Sequence, residues 1–233
     1  MMKLSKRLER LAGMVTTGNR LADVGTDHGY VPIYLCEKGR IPSAIAMDIN
    51  EGPLKRAKHH IGEAGLGPYI ETRRSDGLSA LLAGEADTIL IAGMGGPLTV
   101  RILEEGRTAL SRALELVLQP QSEIGKVRRW LSENRWQIVC EDIVLEEGKY
   151  YPMMRAAPGR EADLREADYC FGQVKLQRSL PELTEFLEKQ LEVQRQILSR
   201  LPQEATERIG ARRVKGEEKI RLLQQVLEEI RSL

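Results

Sequence analysis

The stretch Leu21-Ala22-Asp23-Val24-Gly25-Thr26-Asp27-His28-Gly29-Tyr30-Val31-Pro32 decides the fold. An apolar run ends on an acid, turns at a glycine, and sets Asp27 and His28 side by side before a second glycine. Turns of this kind cradle nucleotides. A pyrophosphate binder carries Gly-x-Gly-x-x-Gly, so that bare backbone can approach an anion at a helix N-terminus. Here the second glycine position holds Asp27. A carboxylate there would repel a pyrophosphate by roughly several kcal/mol at an intermediate effective dielectric. Dinucleotides and nucleoside triphosphates fit this turn poorly.

Working outward, short β-like runs alternate with amphipathic helical patterns from residue 20 to about 157. The runs are Arg20–Val24, Ser43–Met47, Tyr69–Arg73, Thr88–Ala92 and Glu115–Gln119, with Pro53–Ala64, Pro97–Glu105 and Glu123–Glu133 among the helices between them. Alternation of this sort predicts parallel pairing with right-handed crossovers, hence a doubly wound α/β sheet. Two further runs, Gln137–Val144 and Tyr150–Ala156, flank a Glu-Glu-Gly-Lys turn and predict an antiparallel hairpin at the sheet edge. Residues 1–158 then form one domain, opened by an amphipathic helix with Leu4, Leu8, Leu11 and Val15 on one stripe. Beyond Pro158-Gly159 the segment Arg160–Asp168 reads as a linker, and the period changes. Leu183, Leu187, Gln190 or Leu191, Gln194, Ile197 and Leu201 follow three–four spacing, as do Ile220, Leu223, Leu227 and Ile230. Pro202, Gly210 and Gly216 punctuate the space between. The pattern predicts an antiparallel coiled-coil hairpin over 159–233.

In a doubly wound sheet, ligands sit at the carboxyl ends of the strands, near the switch point. Asp23 and Asp27 belong to the first such end, Asp48 closes the second run about twenty residues on, and Asp76-Gly77 follows the third. Each acid alone could be a helix cap or turn former. Acids at three converging strand ends suit a cationic nucleoside without phosphate. S-adenosyl-L-methionine fits: Asp48 can accept from both ribose hydroxyls and Asp76 from the adenine amino group. Ala92-Gly93-Met94-Gly95-Gly96 after the fourth run replaces the Asn/Asp-Pro-Pro-aromatic turn that many exocyclic-amine methyltransferases carry. A ring nitrogen with an in-plane lone pair needs alignment rather than deprotonation before attack. Such a glycine turn lets backbone approach a base closely.

Taken together, the segments Asp23–Pro32, Met47–Asn50, Arg73–Leu78, Ile91–Gly96 and Leu118–Gln121, preceded by Leu4–Leu8, resemble the bacterial tRNA adenine-N1 methyltransferases that modify adenine 22. These are class I, Rossmann-like methyltransferases. The resemblance spans essentially the whole chain, the helical hairpin included. It implies cofactor contacts from Asp23, Gly25, Asp27, His28 and Gly29, from Asp48, Ile49 and Asn50, and from Asp76 and Gly77. It places Gly93 and Met94 beside the methyl group and the target base. Asp27 is the expected carboxylate of the reacting centre, orienting the sulfonium or the base, with Gly93 and Met94 as its catalytic neighbours. The target must be unpaired or flipped, with Tyr30, Met94, Tyr150 and Tyr151 as stacking candidates.

Composition agrees with a globular protein: 233 residues, 42% hydrophobic, 30% charged. No run reaches the roughly 18 apolar residues of a membrane span, and the basic N-terminus lacks the apolar core of a signal peptide. Three scattered cysteines speak against a disulfide scaffold and for a reducing cytoplasm, and three histidines offer no metal array, His59-His60 reading as a solvated helix face. A net charge of +1 makes no case for nucleic acid by itself. Local clusters do: Lys3, Lys6, Arg7 and Arg10 on the first helix; Lys126, Arg128 and Arg129; and Arg208, Arg212, Arg213 and Lys215 in the hairpin connector. Of these, Lys6, Arg7, Arg10 and the connector set are the expected tRNA contacts. The protein is expected to be a monomer or weak dimer. A methyltransferase of another substrate, or a non-catalytic RNA-binding protein with a relic pocket, remains open at this point.

Overall fold

The computed structural model describes residues 2–160, 164–202 and 207–233. In chain order the elements are α1 (Lys6–Ala12), β1 (Leu21–Val24), α2 (Tyr30–Glu37), β2 (Ala44–Asp48), α3 (Glu51–Glu63), β3 (Ile70–Arg74), β4 (Thr88–Ala92), α4 (Gly96–Glu105) and the short α5 (Arg107–Leu110). They continue with β5 (Glu115–Gln119), α6 (Ile124–Glu133), β6 (Trp136–Glu146), β7 (Lys149–Pro158), α7 (Glu166–Phe171), α8 (Leu180–Ser199) and α9 (Glu207–Arg231). The strands form one seven-stranded sheet in the order β3-β2-β1-β4-β5-β7-β6. The first five are mutually parallel, and β7 lies antiparallel to both β5 and β6. The expected sheet is therefore present, with the second arm of the hairpin, β7, inserted between β5 and the outer β6.

Period-two side-chain direction divides the core between the two faces of this sheet. Ala22, Val24, Ile89 and Ile91 point to the face covered by α4, α5 and α6, where Leu103, Val127, Trp130 and Leu131 are buried. Leu21, Leu90 and Val117 point to the other face, against Leu11 of α1, Ile33 of α2 and Ile61 of α3. Both faces are covered, so β1 reads as a continuous apolar run rather than an alternating one.

The C-terminal helices form a third core. Leu183 and Leu187 of α8 and Leu222, Leu223, Val226 and Leu227 of α9 close on Phe171 and on Ile143 of β6. α8 and α9 run antiparallel, since Gly216 lies against Leu198 and Gln194 while Lys219 Nζ reaches Gln190 Oε1 at 3.4 Å.

Three expectations change here. Helix α7 begins at Glu166, inside the segment read as a linker, of which residues 161–163 lie outside the described ones. Gly210 and Gly216 do not punctuate a connector; both lie within the continuous helix α9, as do Arg208, Arg212, Arg213 and Lys215. The connector is shorter, and its residues 203–206 lie outside the described ones. At the far end of α8 it is Leu198 that meets α9, whereas Ile197 is exposed, because the seam drifts by one residue from the strict three–four count. Among the described residues no helix is long and apolar enough to cross a membrane, and no group of three acidic, histidine or cysteine side chains is placed to hold a metal.

Candidate active site

The order β3-β2-β1-β4-β5 reverses between β1 and β4, and there a cavity of about 430 Å³ opens at the carboxyl ends of the strands. Its wall includes Asp23 of β1 and Gly25 and Asp27 from the turn after it, together with Ala92, Gly93 and Gln121. The size lies within the usual range for small-molecule sites. The backbone amides of Gly25 and Thr26 both donate to the Met47 carbonyl at 2.8 Å, so the turn is pinned to β2. Gly25 and Gly29 hold φ of 77° and 70°, conformations that favour glycine. A Cβ on Gly25 would collide with Met94 Cε, so the β1 turn and the β4 turn meet at this point.

Asp23 is buried at 7% exposure, and its carboxyl is pushed up to about 6 by burial, with a partial offset from the Thr26 hydroxyl and a further push from Asp48. A buried acid beside a second acid calls for a cationic partner. Asp27, by contrast, is exposed. Arg56 of α3 donates to its Oδ1, and His28 Nε2 lies 3.3 Å from its Oδ2. Arg56 was absent from the sequence-based site. No motif announces it; it arrives because Ala57 and Ile61 dock the same helix against the turn.

His28, Tyr30 and His60 form a ring stack on that wall, with centroids 4.8 Å apart for His28–Tyr30 and 5.4 Å apart for the pairs to His60. His60 Nδ1 lies 3.1 Å from the His28 carbonyl, which requires the proton on Nδ1. His60 is therefore not part of a solvated face; only His59 is exposed. His28 Nδ1 is buried with no hydrogen-bond partner among the described residues.

Of the other expected cofactor residues, Asp48, Ile49, Asn50, Asp76, Gly77 and Met94 lie away from the wall of this cavity, while Gly93 is on it. Asp48 ends β2 and accepts from the Asn50 amide at 2.7 Å; Ile49 and Asn50 are exposed beyond it. Asp76 is exposed, 3.9 Å from Arg101, and Gly77 packs against Ile102. Gly93, at φ 77°, opens on the cavity, while Met94 is half-buried behind it. Gly96 has a purely structural reason, since a Cβ there would come within 2.5 Å of the Ser122 carbonyl oxygen.

The basic clusters separate sharply. Arg10 donates to the buried Asp142 at 3.0 Å and to Ser179 at 3.1 Å. Arg128, one of the basic cluster that opens α6, is buried on Glu141 at 2.7 Å; Arg129 pairs with Glu166 and Lys126 with Glu123. Arg7 lines the cavity, donating to Gln119 Oε1 at 2.9 Å, and Lys6 reaches the Leu145 carbonyl at 3.5 Å. Arg208, Arg212 and Lys215 are exposed on α9, and Arg213 reaches the Pro202 carbonyl at 3.4 Å.

Comparison with known proteins places this geometry. A methyltransferase domain family matches residues 4–154. The Bacillus subtilis tRNA (adenine(22)-N(1))-methyltransferase is 40% identical over 158 residues, 68% of this chain and 66% of that protein, so the sequence match spans about two thirds of the relative. The crystal structure of the B. subtilis m1A22 tRNA methyltransferase TrmK, 31% identical, superposes with a TM-score of 0.86 over 97% of this chain and 100% of that one. Streptococcus pneumoniae Sp1610, solved in complex with S-adenosyl-L-methionine, is 35% identical with a TM-score of 0.85 over 97% and 100%. The shared fold runs the full length, helical hairpin included, and the chain belongs to the tRNA (adenine-22-N1)-methyltransferase family.

Proposed function

We propose that this protein transfers the methyl group of S-adenosyl-L-methionine to N1 of an unpaired adenine, position 22, in tRNA. The observation that carries the reading is the acid-lined, phosphate-averse cavity at the β1/β4 switch point, on a chain whose relatives bear that activity in their names. The residues present fit the cofactor. Asp23 is a buried carboxyl, pushed up to about 6, that a bound ammonium would hold ionised, His28 Nδ1 is a buried atom with no hydrogen-bond partner among the described residues, and Gly25 keeps the floor bare. Asp48 stands at the end of β2 for the ribose, with Ile49 and Asn50 beside it and Asp76-Gly77 on the adenine side.

The bound cofactor supplies an electrophilic methyl on a sulfonium. The chain's own task is positioning. Gly93, with no side chain, lets the β4 turn approach the base edge, and Met94 closes the turn against Gly25. Adenine N1 attacks with its lone pair, so no base is needed before transfer, and alignment supplies the acceleration. Asp27 orients charge at the rim. Burial of the target adenine requires it to leave any pairing partner.

Residues 1–158 serve in this reading as the catalytic domain and 159–233 as an appendage whose exposed Arg208, Arg212 and Lys215, with the half-buried Arg213, offer a second footprint on a folded RNA. The protein is read as a monomer or weak dimer. Unmodified tRNA incubated with labelled cofactor, followed by mapping of the modified nucleoside, tests the function. Label at N1 of adenine 22 is expected; label in an exocyclic amine or pyrimidine, or only in a free small molecule, overturns it.

A further inference from the structure

Beside the cavity, two cations converge on one aromatic ring. The Arg7 guanidinium stands 5.2 Å from the centroid of Tyr151, and the Lys149 ammonium stands 5.2 Å from the same centroid. Arg7 comes from α1, while Lys149 and Tyr151 lie at the start of β7, just after the tight turn in which Glu147 and Gly148 hold positive φ. Lys149 Nζ also lies 3.4 Å from Gln121 Oε1, and Gln121 lines the cavity.

This pair differs from four other clustered cations in that no carboxylate quenches its charge. Arg10, Lys126, Arg128 and Arg129 each sit on a carboxylate. Among the described residues neither Arg7 nor Lys149 has a carboxylate partner; their polar contacts are with glutamine side chains and the ring. The nearby Glu146 turns its Oε1 to the Arg7 backbone amide rather than to the guanidinium, and Glu147 is exposed on the turn. The ring's π face offsets only part of the positive charge that both side chains bring to it.

We propose that Lys149, propped on Tyr151 together with Arg7, is a phosphate-binding site for the RNA backbone next to the adenine that enters the cavity. The proposal rests on the tRNA reading above. Geometry supports it: Lys149 reaches Gln121 on the cavity wall, so a phosphate held by Lys149 would sit beside the cavity and leave the adjoining base free to turn inward. Phosphate contacts fix position rather than sequence, and each releases counterions.

The test is a salt titration of tRNA binding for wild type, Lys149→Gln, Lys149→Arg and Lys126→Gln, with cofactor binding measured in parallel. Lys149→Gln is expected to weaken RNA binding about three- to tenfold and to lower the slope of log affinity against log salt by about one. Lys149→Arg keeps the wild-type slope. Lys126→Gln, which removes a charge already paired with Glu123, also leaves it unchanged. Cofactor affinity stays constant in all four. An unchanged slope for Lys149→Gln, or an equal fall for Lys126→Gln, overturns the site while leaving the methyltransferase reading intact. Wild type that binds no tRNA removes both.

Discussion

Arg56 donates to the carboxylate of Asp27, and the two side chains are 48% and 64% exposed, at the rim rather than the floor of the cavity. The acid that rules out a phosphate therefore already has a counter-charge on α3. A cationic cofactor competes with that guanidinium, whereas its product, S-adenosylhomocysteine, has a neutral sulfur and competes less. Because exposed pairs contribute only about 0–1 kcal/mol, Arg56→Ala is expected to raise affinity for the cofactor relative to the product by no more than about fivefold. Calorimetric titration with both ligands checks this. A ratio unchanged in Arg56→Ala would separate Asp27 from the sulfonium.

Asp27 itself should matter to turnover more than to binding. Asp27→Asn preserves shape and removes charge, and Asp27→Ala removes both. Both are expected to lower single-turnover methylation by at least about tenfold, or about 1.4 kcal/mol of barrier. Near wild-type rates with intact tRNA would exclude an orienting role.

Asp23 carries a pH signature. Its folded value is raised to about 6 by burial, above the 3.8 of an ordinary aspartate. The folded state thus holds a proton that the unfolded state releases, and stability falls as pH rises from about 4 through 6. An ammonium bound beside Asp23 draws the carboxyl back to its ionised form and expels that proton. Cofactor affinity should rise about tenfold between pH 5 and 7, with proton release visible in buffers of different ionisation enthalpy. Asp23→Asn should flatten the profile.

Much of this architecture was legible because parallel strands buried on both faces announce themselves as apolar runs. β4 and β5 begin and end where their patterns do. The glycine turn and its acids were legible for the same reason, since few residues tolerate φ near 70° or a neighbour at van der Waals contact. What could not be read was pairing between elements distant in sequence. Arg10 and Arg7 look alike in one dimension; only the fold sets one on buried Asp142 and the other on Gln119 and Tyr151. Likewise His60 became a stacking partner of His28 through helix docking that periodicity does not encode.

Arg128 and Glu141 form the joint between the sheet and the helical appendage. Their side chains are 4% and 1% exposed; Arg128 also donates to the Tyr169 and Cys170 carbonyls, and Glu141 accepts from the Gln173 amide at 2.8 Å. Removing one partner strands a buried charge, so Arg128→Met is expected to cost about 3–5 kcal/mol in denaturant unfolding. Adding Glu141→Met should recover part of that loss, though the Gln173 amide then lacks its acceptor. A loss below about 1 kcal/mol for the single variant would show that the joint is open to water.

Gly96 and Gly210 make the last contrast, since both sit inside helices and only one is required. At Gly96 a Cβ would lie 2.5 Å from the Ser122 carbonyl oxygen and 2.8 Å from that of Glu123, both fixed backbone atoms. At Gly210, within α9, nothing lies within 4 Å. Gly96→Ala must push α4 away from the segment preceding α6, at a cost of about 1–3 kcal/mol. That movement carries the Gly93–Gly95 turn with it, so methylation should fall alongside the melting temperature. Gly210→Ala removes backbone freedom from the unfolded chain without a clash and should stabilise α9 by about 0.5–1 kcal/mol, with catalysis on saturating RNA unchanged. Equal melting temperatures for the two variants would mean that the β4 turn is not braced by Ser122, and its role in holding the target base would lose its structural support.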